Sequence, residues 1–170
     1  MSRVAIIGNA GGGKTTLAIK LGKALRISVY PIDKIQWKPN WQRTSLAELK
    51  KKHDEILTTG KWIIDGWGSW DLIAERFKAS DTIIFVDFPI HIHYWWSFKR
   101  QIKSIIVPRP DLPENCPMLP KTWELIRVMR LIHRQMRPHL KNMIASFSEG
   151  RQIIVIRSPK ELRRFEQQYC

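Results

Sequence analysis

The feature that most constrains this chain lies near its start, where the apolar run Val4-Ala5-Ile6-Ile7 leads into Gly8-Asn9-Ala10-Gly11-Gly12-Gly13-Lys14-Thr15-Thr16. The apolar run reads as a buried strand, and Leu17, Leu21, Ala24 and Leu25 then recur at helical spacing. Between them, Gly8, Gly13, Lys14 and Thr15 fill every fixed position of the pattern G-x-x-x-x-G-K-[ST]. Glycines accept positive φ, which lets successive backbone N–H groups turn inward on one anion at the start of a helix, where the helix dipole adds positive charge. Residues Gly8 to Thr16 are therefore predicted to cradle a polyphosphate. Lys14 would meet its β- and γ-phosphates as a point charge, and the Thr15 hydroxyl would be a ligand of Mg²⁺, so ATP and Mg²⁺ are the expected cofactors.

A chain of 170 residues is expected to hold one such domain, residues 1–170, around a single core. Two cysteines, Cys116 and Cys170, cannot form a disulfide framework and lack metal-ligand spacing, which favours a reducing, cytoplasmic setting. The first apolar run is too short for a secretory leader, and no stretch approaches membrane-spanning length, so a soluble protein with no membrane partner is expected. A formal net charge of +14 and a pI near 10.2 predict attraction to phosphate-rich partners. Nonspecific nucleic-acid binding through that surface is one consequence. Both a monomer and a homodimer fit the composition.

Short strand signals alternate with longer helical ones along the chain. Val4–Ile7, Ile27–Tyr30, Trp62–Asp65, Thr82–Asp87 and Gln152–Ile156 read as strands, the third and fourth as central parallel ones. Helices are expected from Lys14 to Leu25, from the capping box Ser45-Leu46-Ala47-Glu48 to Gly60, over 90–106, over 122–147 with Pro138 as a break or a new start, and after Ser158-Pro159-Lys160-Glu161. Pro108 to Pro120 carries five prolines and reads as an ordered loop or lid. The alternation implies a doubly wound parallel sheet with its ligands at the carboxyl ends of the strands.

The glycine loop, Ile32-Asp33-Lys34-Ile35-Gln36-Trp37-Lys38-Pro39-Asn40-Trp41, Trp62-Ile63-Ile64-Asp65-Gly66, Arg76 and Asp87-Phe88-Pro89 together carry a family likeness. The chain resembles the adenylate-kinase-like branch of P-loop kinases, and within it the small bacterial DNA topology modulation proteins. The resemblance implies an α/β fold of the P-loop NTPase type, three layers with a five-stranded parallel sheet in the order 2-3-1-4-5 and a helical lid over about 100–135. In adenylate kinases the strand corresponding to Trp62–Asp65 continues as Asp-Gly-Phe-Pro-Arg. Here Asp65-Gly66 is followed by Trp67-Gly68-Ser69, and the arginine that grips the acceptor phosphate is missing. The resemblance also implies that Arg100 and Arg109, at the start of the proline-rich loop, stack on the nucleobase or reach the phosphates, and that Arg76 lies near the acceptor.

Three carboxylates end or follow strands. Asp65 is best placed to support Mg²⁺ beside Thr15, and Asp33 is the candidate base for an acceptor hydroxyl, its other reading being a turn residue. Asp87 could assist the metal or cap the next helix. Arg127, Arg130, Arg134, Arg137 and Lys141 are spaced to share one helix face, either a solvated basic stripe or part of a closing lid that brings Arg134, with Arg100, to the transferring phosphoryl group. Trp37, Lys38, Trp41 and Arg43 alternate flat apolar surface with positive charge, as suits a ring stacked beside a phosphate. Trp67 and Trp70 are placed to line the same acceptor pocket, the other reading being an apolar cover over the sheet. Trp62 and one of Trp95 and Trp96 read as packing residues, and His91 and His93 as structural. Two functions follow: a phosphotransferase acting from ATP on a small acceptor, with Lys14, Asp33, Asp65, Arg100 and Arg134 as its catalytic set, or a nucleic-acid-binding protein regulated by nucleotide.

Overall fold

The computed structural model describes residues 1–104 and 119–170. Five strands form one parallel sheet: β1 (Arg3–Gly8), β2 (Val29–Pro31), β3 (Trp62–Asp65), β4 (Thr82–Val86) and β5 (Gln152–Ile156). In space the order is β2, β3, β1, β4, β5, with β1 at the centre. Val4, Ala5, Ile6 and Ile7 are all fully buried, because a central parallel strand is covered on both faces and an unbroken apolar run suits it. Register carries the functional consequence: Ile6 stands opposite Asp65 on one side, and Gly8 opposite Val86 on the other. The Asp65 carboxylate and the residues after Val86 are thereby delivered to the mouth of the glycine loop.

Helices cover both faces of the sheet. On one, α1 (Lys14–Leu25) and α8 (Pro159–Tyr169) pack Leu17, Leu21, Leu162 and Phe165 over Val4, Ile6, Ile63 and Ile84. On the other, α4 (Trp70–Ala79) and α7 (Arg137–Ser146) bring Ile73, Phe77, Leu140 and Ile144 over Ala5, Ile7, Ile64 and Phe85. Alternate residues of each strand serve opposite cores, the period of two that makes a three-layer sandwich.

Helix starts follow their caps. Ser45 accepts from the Glu48 N–H at the head of α3 (Leu46–Leu57), and Ser158 accepts from the Glu161 N–H at the head of α8. Helix α4, which the motif reading passes over, begins the same way, with Ser69 accepting from the Leu72 N–H. A one-turn helix α2 (Ile32–Gln36), not assigned from the sequence, follows the second strand, which begins two residues later and ends one residue later than expected. Beyond α2, Trp37–Lys38 and Gln42–Arg43 pair antiparallel as a small ribbon.

Helix α5 runs Ile90–Ser104; the expected turn to residue 106, the proline-rich loop up to residue 118, Arg109 and Cys116 lie outside the described residues. Helix α6 (Thr122–Leu131) continues through a wide π turn, Ile132–Met136, into α7. Pro138 stands in the first turn of α7, the new start that the sequence allows, although the backbone stays helical across the junction. It has no N–H to donate, and just before it the ladder widens, so that the Arg137 N–H bonds the Ile132 carbonyl five residues back. Among the described residues no helix is long and apolar enough to cross a membrane.

Candidate active site

The glycine loop sits between β1 and α1. Gly8 has φ 148°, and a Cβ there would come within 2.3 Å of the Val86 carbonyl oxygen. Gly13, the residue before α1, takes the left-handed conformation at φ 77°. Side chains at either fixed position would strain the turn, which explains the glycines in physical terms. The Lys14 ammonium folds back over the loop to donate to the Asn9 carbonyl at 2.9 Å. The Thr15 hydroxyl donates to Asp65 Oδ2 at 2.6 Å, so the pair expected around Mg²⁺ is already assembled.

Several residues hold this loop from behind. Asn9 Oδ1 accepts from the Ala10 N–H, and Asn9 Nδ2 donates to the Met129 carbonyl of α6 at 2.8 Å, joining the loop to the helix that leads into the π turn. Trp67 Nε1 donates to the Gly8 carbonyl at 2.8 Å. His93, buried under the loop, lies 2.9 Å from the Ala10 carbonyl through Nδ1, which must carry the proton because a carbonyl only accepts. Burial, and then Lys14, push the His93 pKa down to about 4, so its ring is neutral.

Two concavities flank the loop. An outer cleft of about 860 Å³ is bordered by Gly11 to Thr16, Trp96, Arg100 and Arg163. An inner chamber of about 280 Å³ is lined by Asp33, Trp37, Trp41, Asp65 and Trp67, with Val128 of α6 as part of its roof. Lys14, Thr15 and Arg100 border both. That junction is where a group passing from one side to the other would be held.

Of the sequence-predicted site residues, Gly8 to Thr16, Asp33, Asp65 and Arg100 are brought together. Arg134 is not. Like Arg127 and Arg130 in α6, this π-turn residue is exposed and lines neither concavity. The reason is amphipathic: Leu125, Val128 and Ile132 face the inner chamber, which turns the arginines outward. The solvated basic stripe is the arrangement found for these three, and the lid arrangement expected of them is not.

Arg137 departs from the stripe. Across the wide turn it donates through Nη2 to Asp87 Oδ2 at 2.9 Å and through Nε to Oδ1, and Lys141 pairs with the same carboxylate at 3.0 Å. The bond to Asp87 raises the Arg137 pKa above its ordinary value. Asp87, just after β4, is thus engaged by two cations of α7. Arg76 lies behind the acceptor side rather than in it: fully buried, it donates to the Trp67 carbonyl at 2.8 Å, and burial, partly offset by Asp65, lowers its pKa to about 10.

The tryptophans divide as well. Trp62 is core; Trp96 packs against Phe88 over the loop, while Trp95 is exposed. Trp70 stacks edge-on against Trp67 and His139, behind the chamber that Trp67 lines. The place of Arg163 in the outer cleft and the pairing of Asp87 with Arg137 are roles that the motif reading leaves unassigned. Ser158-Pro159 at the head of α8 is the one local signal pointing toward Arg163.

No protein-family model matches the chain, and no curated protein matches it in sequence. Solved structures do match in fold. Shikimate kinase from Acinetobacter baumannii in complex with shikimate is 13% identical over 99% of this chain and 90% of its own, with a TM-score of 0.56. Shikimate kinase from Bacteroides thetaiotaomicron is 15% identical, over 98% and 95%, at 0.53. A gluconokinase from Sinorhizobium meliloti 1021 is 10% identical, over 98% and 94%, at 0.54. With the strand order and glycine loop described above, these likenesses give the chain the fold of a P-loop kinase.

Proposed function

We propose that this protein is an ATP-dependent phosphotransferase that moves the γ-phosphoryl group of ATP to a hydroxyl of a small molecule. The observation that carries the reading is the junction itself: Lys14, Thr15 and Arg100 border both an outer cleft sized for a nucleotide and an inner chamber with a carboxylate, Asp33, in its wall. Within the P-loop kinases we place it in the adenylate-kinase-like branch, nearest the DNA topology modulation proteins, on the segments 32–41, 62–66 and 87–89. The structural neighbours include kinases of shikimate and gluconate by name, which supports a small hydroxylated acceptor over a nucleic acid.

In this reading the polyphosphate lies along the N–H groups of Gly11 to Thr15, and Lys14 exchanges the Asn9 carbonyl for phosphate oxygens. The Thr15 hydroxyl backed by the Asp65 carboxylate is an all-oxygen donor set that fits Mg²⁺, a hard ion. Bound there, the ion neutralises charge on the β- and γ-oxygens. Asp33 takes the proton of the acceptor hydroxyl as its oxygen bonds to the γ-phosphorus, and the bond to the β–γ bridging oxygen breaks to release ADP. Arg100 faces the three oxygens that carry the charge between those two events. Helix α6, with Asn9 bonded to its Met129 carbonyl, is the element whose approach to the loop would exclude water.

A screen of hydroxylated metabolites for ATP-dependent ADP release tests the proposal. With an acceptor in hand, Asp33→Asn should lower kcat by roughly 10²–10⁴ with little change in ATP affinity, the span expected of a general base. Asp65→Asn should likewise lower kcat more than it weakens ATP binding. Unchanged kcat in Asp33→Asn would remove it as the base.

A further inference from the structure

We propose that His53, Asp54 and Glu75 form a divalent-metal site of the Zn²⁺ class that clips α3 to α4, apart from the glycine loop and independent of the phosphotransfer reading. Asp54 follows His53 in α3, and Glu75 comes across from α4. None of the three lines either concavity of the candidate active site.

His53 shares the core face of α3 with Leu49 and Ile56, at helical spacing, and is fully buried. A buried imidazole ordinarily finds a hydrogen-bond partner for at least one nitrogen, and here neither Nδ1 nor Nε2 has one. Nδ1 is aimed instead at two carboxylates, 3.7 Å from Asp54 Oδ1 and 3.9 Å from a Glu75 oxygen, Oε2. Burial, and then Arg76, lower the His53 pKa, so the neutral ring keeps a lone pair to offer.

Those spacings are too long for a hydrogen bond and suit a shared ion. Nitrogen and oxygen ligands about 2.0–2.2 Å from a tetrahedral ion stand roughly 3.3–3.6 Å apart. Nδ1 and its two neighbours therefore need to close only slightly, and all three donor atoms lie within 4.8 Å of one another. One imidazole with two carboxylates is a mixed nitrogen and oxygen set, which fits Zn²⁺ better than the all-oxygen preference of Mg²⁺. Asp54 and Glu75 are partly exposed, which gives an ion a way in and leaves a fourth position to water.

The same place already holds a positive charge. Lys50 Nζ lies 2.8 Å from Glu75 Oε1 and 3.1 Å from Asp54 Oδ2, an ammonium bridging the two carboxylates. Its side chain is half-exposed, and pairs of that kind are weak in water, so it gives way to a doubly charged ion. With Lys50 withdrawn, the charged groups bearing on His53 are the two carboxylates and the Arg76 guanidinium, a net negative set that the ion relieves. Arg76 donates through Nη2 to the Trp67 carbonyl and does not pair with either carboxylate.

Calorimetric titration of Zn²⁺ into the full chain without nucleotide tests the site, with the visible absorption of bound Co²⁺ as a second probe. The wild type should bind Zn²⁺ in a component that Glu75→Gln weakens about tenfold or more. Lys50→Met, which removes the competing ammonium, should tighten it severalfold. Both changes fall at partly exposed positions, so thermal melts without metal should show folded proteins, and Zn²⁺ should raise the melting temperature of the wild type and of Lys50→Met more than that of Glu75→Gln. His53→Gln should lose the tetrahedral Co²⁺ band that the wild type shows. Zn²⁺ binding untouched by the changes at Glu75 and Lys50 would belong to other side chains, such as His91 or Cys170, and would overturn the proposal, as would no Zn²⁺ binding at all.

Discussion

His93 shows how much of this site depends on single buried groups. Its ring props the glycine loop through the Ala10 carbonyl, and the cation is disfavoured by burial, Lys14 and His133, against weaker support from the Ala10 carbonyl and Asp87. A histidine with a folded pKa of about 4 and an ordinary value of 6.5 takes up its proton in the unfolded chain first. Between those two values the unfolded state binds more protons, so stability falls as the pH falls, by about 2 kcal/mol on reaching pH 5. Urea unfolding at pH 7.5 and pH 5 should show that loss in the wild type and a clearly smaller one in His93→Asn, which keeps a donor near Ala10 but does not titrate. His53, also buried and also shifted down, titrates in both proteins and cancels in the comparison. The same loss in both would mean that His93 is not the titrating group. Residues of the loop were legible in sequence because their spacing is local: Gly8, Gly13, Lys14 and Thr15 lie within eight positions. The bonds from Asn9 to Met129 and from Trp67 to Gly8 span 120 and 59 positions, and no local pattern encodes them.

The wide π turn between α6 and α7 is the element that most changes the expected arrangement. A regular helix through residues 122–147 would keep Arg127, Arg130, Arg134 and Arg137 in register; the extra residue per turn at Ile132–Met136 separates Arg137 from the others and presents it to Asp87. Asp87 is buried while the Arg137 side chain is about one-third exposed, so breaking the pair costs less than for a fully buried one. Arg137→Met should lower stability by about 1–3 kcal/mol, since Lys141 remains to face the carboxylate. Arg134→Met, at an exposed position, should stay within about 0.5 kcal/mol. Thermal unfolding of the two variants side by side decides the matter, and equal melting temperatures would contradict the assignment. Caps and apolar runs made the strands and most helices readable, down to Ser45 and Ser158. Helix α4 had a cap of the same kind at Ser69 but was obscured by the tryptophans around it, and the π turn has no local sequence signal beyond Pro138, while the Asp87 that its end meets lies 50 positions away.

At the scale of the whole molecule, the sheet order and the two-faced burial of β1 followed from strand composition and the family likeness, and the outward placement of the basic stripe did not. A net charge of +14 predicts nonspecific attraction to nucleic acid whatever the protein's chemistry. Because Arg127, Arg130 and Arg134 line neither concavity, replacing all three by alanine should leave ADP release within about twofold while flattening the salt dependence of DNA binding, by about 0.9 in log–log slope for each phosphate no longer neutralised. Loss of ADP release with the DNA slope unchanged would instead place the stripe in the active site. That the glycine loop binds Mg-ATP and holds it for phosphoryl transfer is tested most directly by calorimetric titration of Mg-ATP into the wild type and Lys14→Ala. Saturable one-site binding in the wild type, weakened at least a hundredfold in the variant, is the predicted result; equal affinity in the two proteins, or no binding to either, would contradict it.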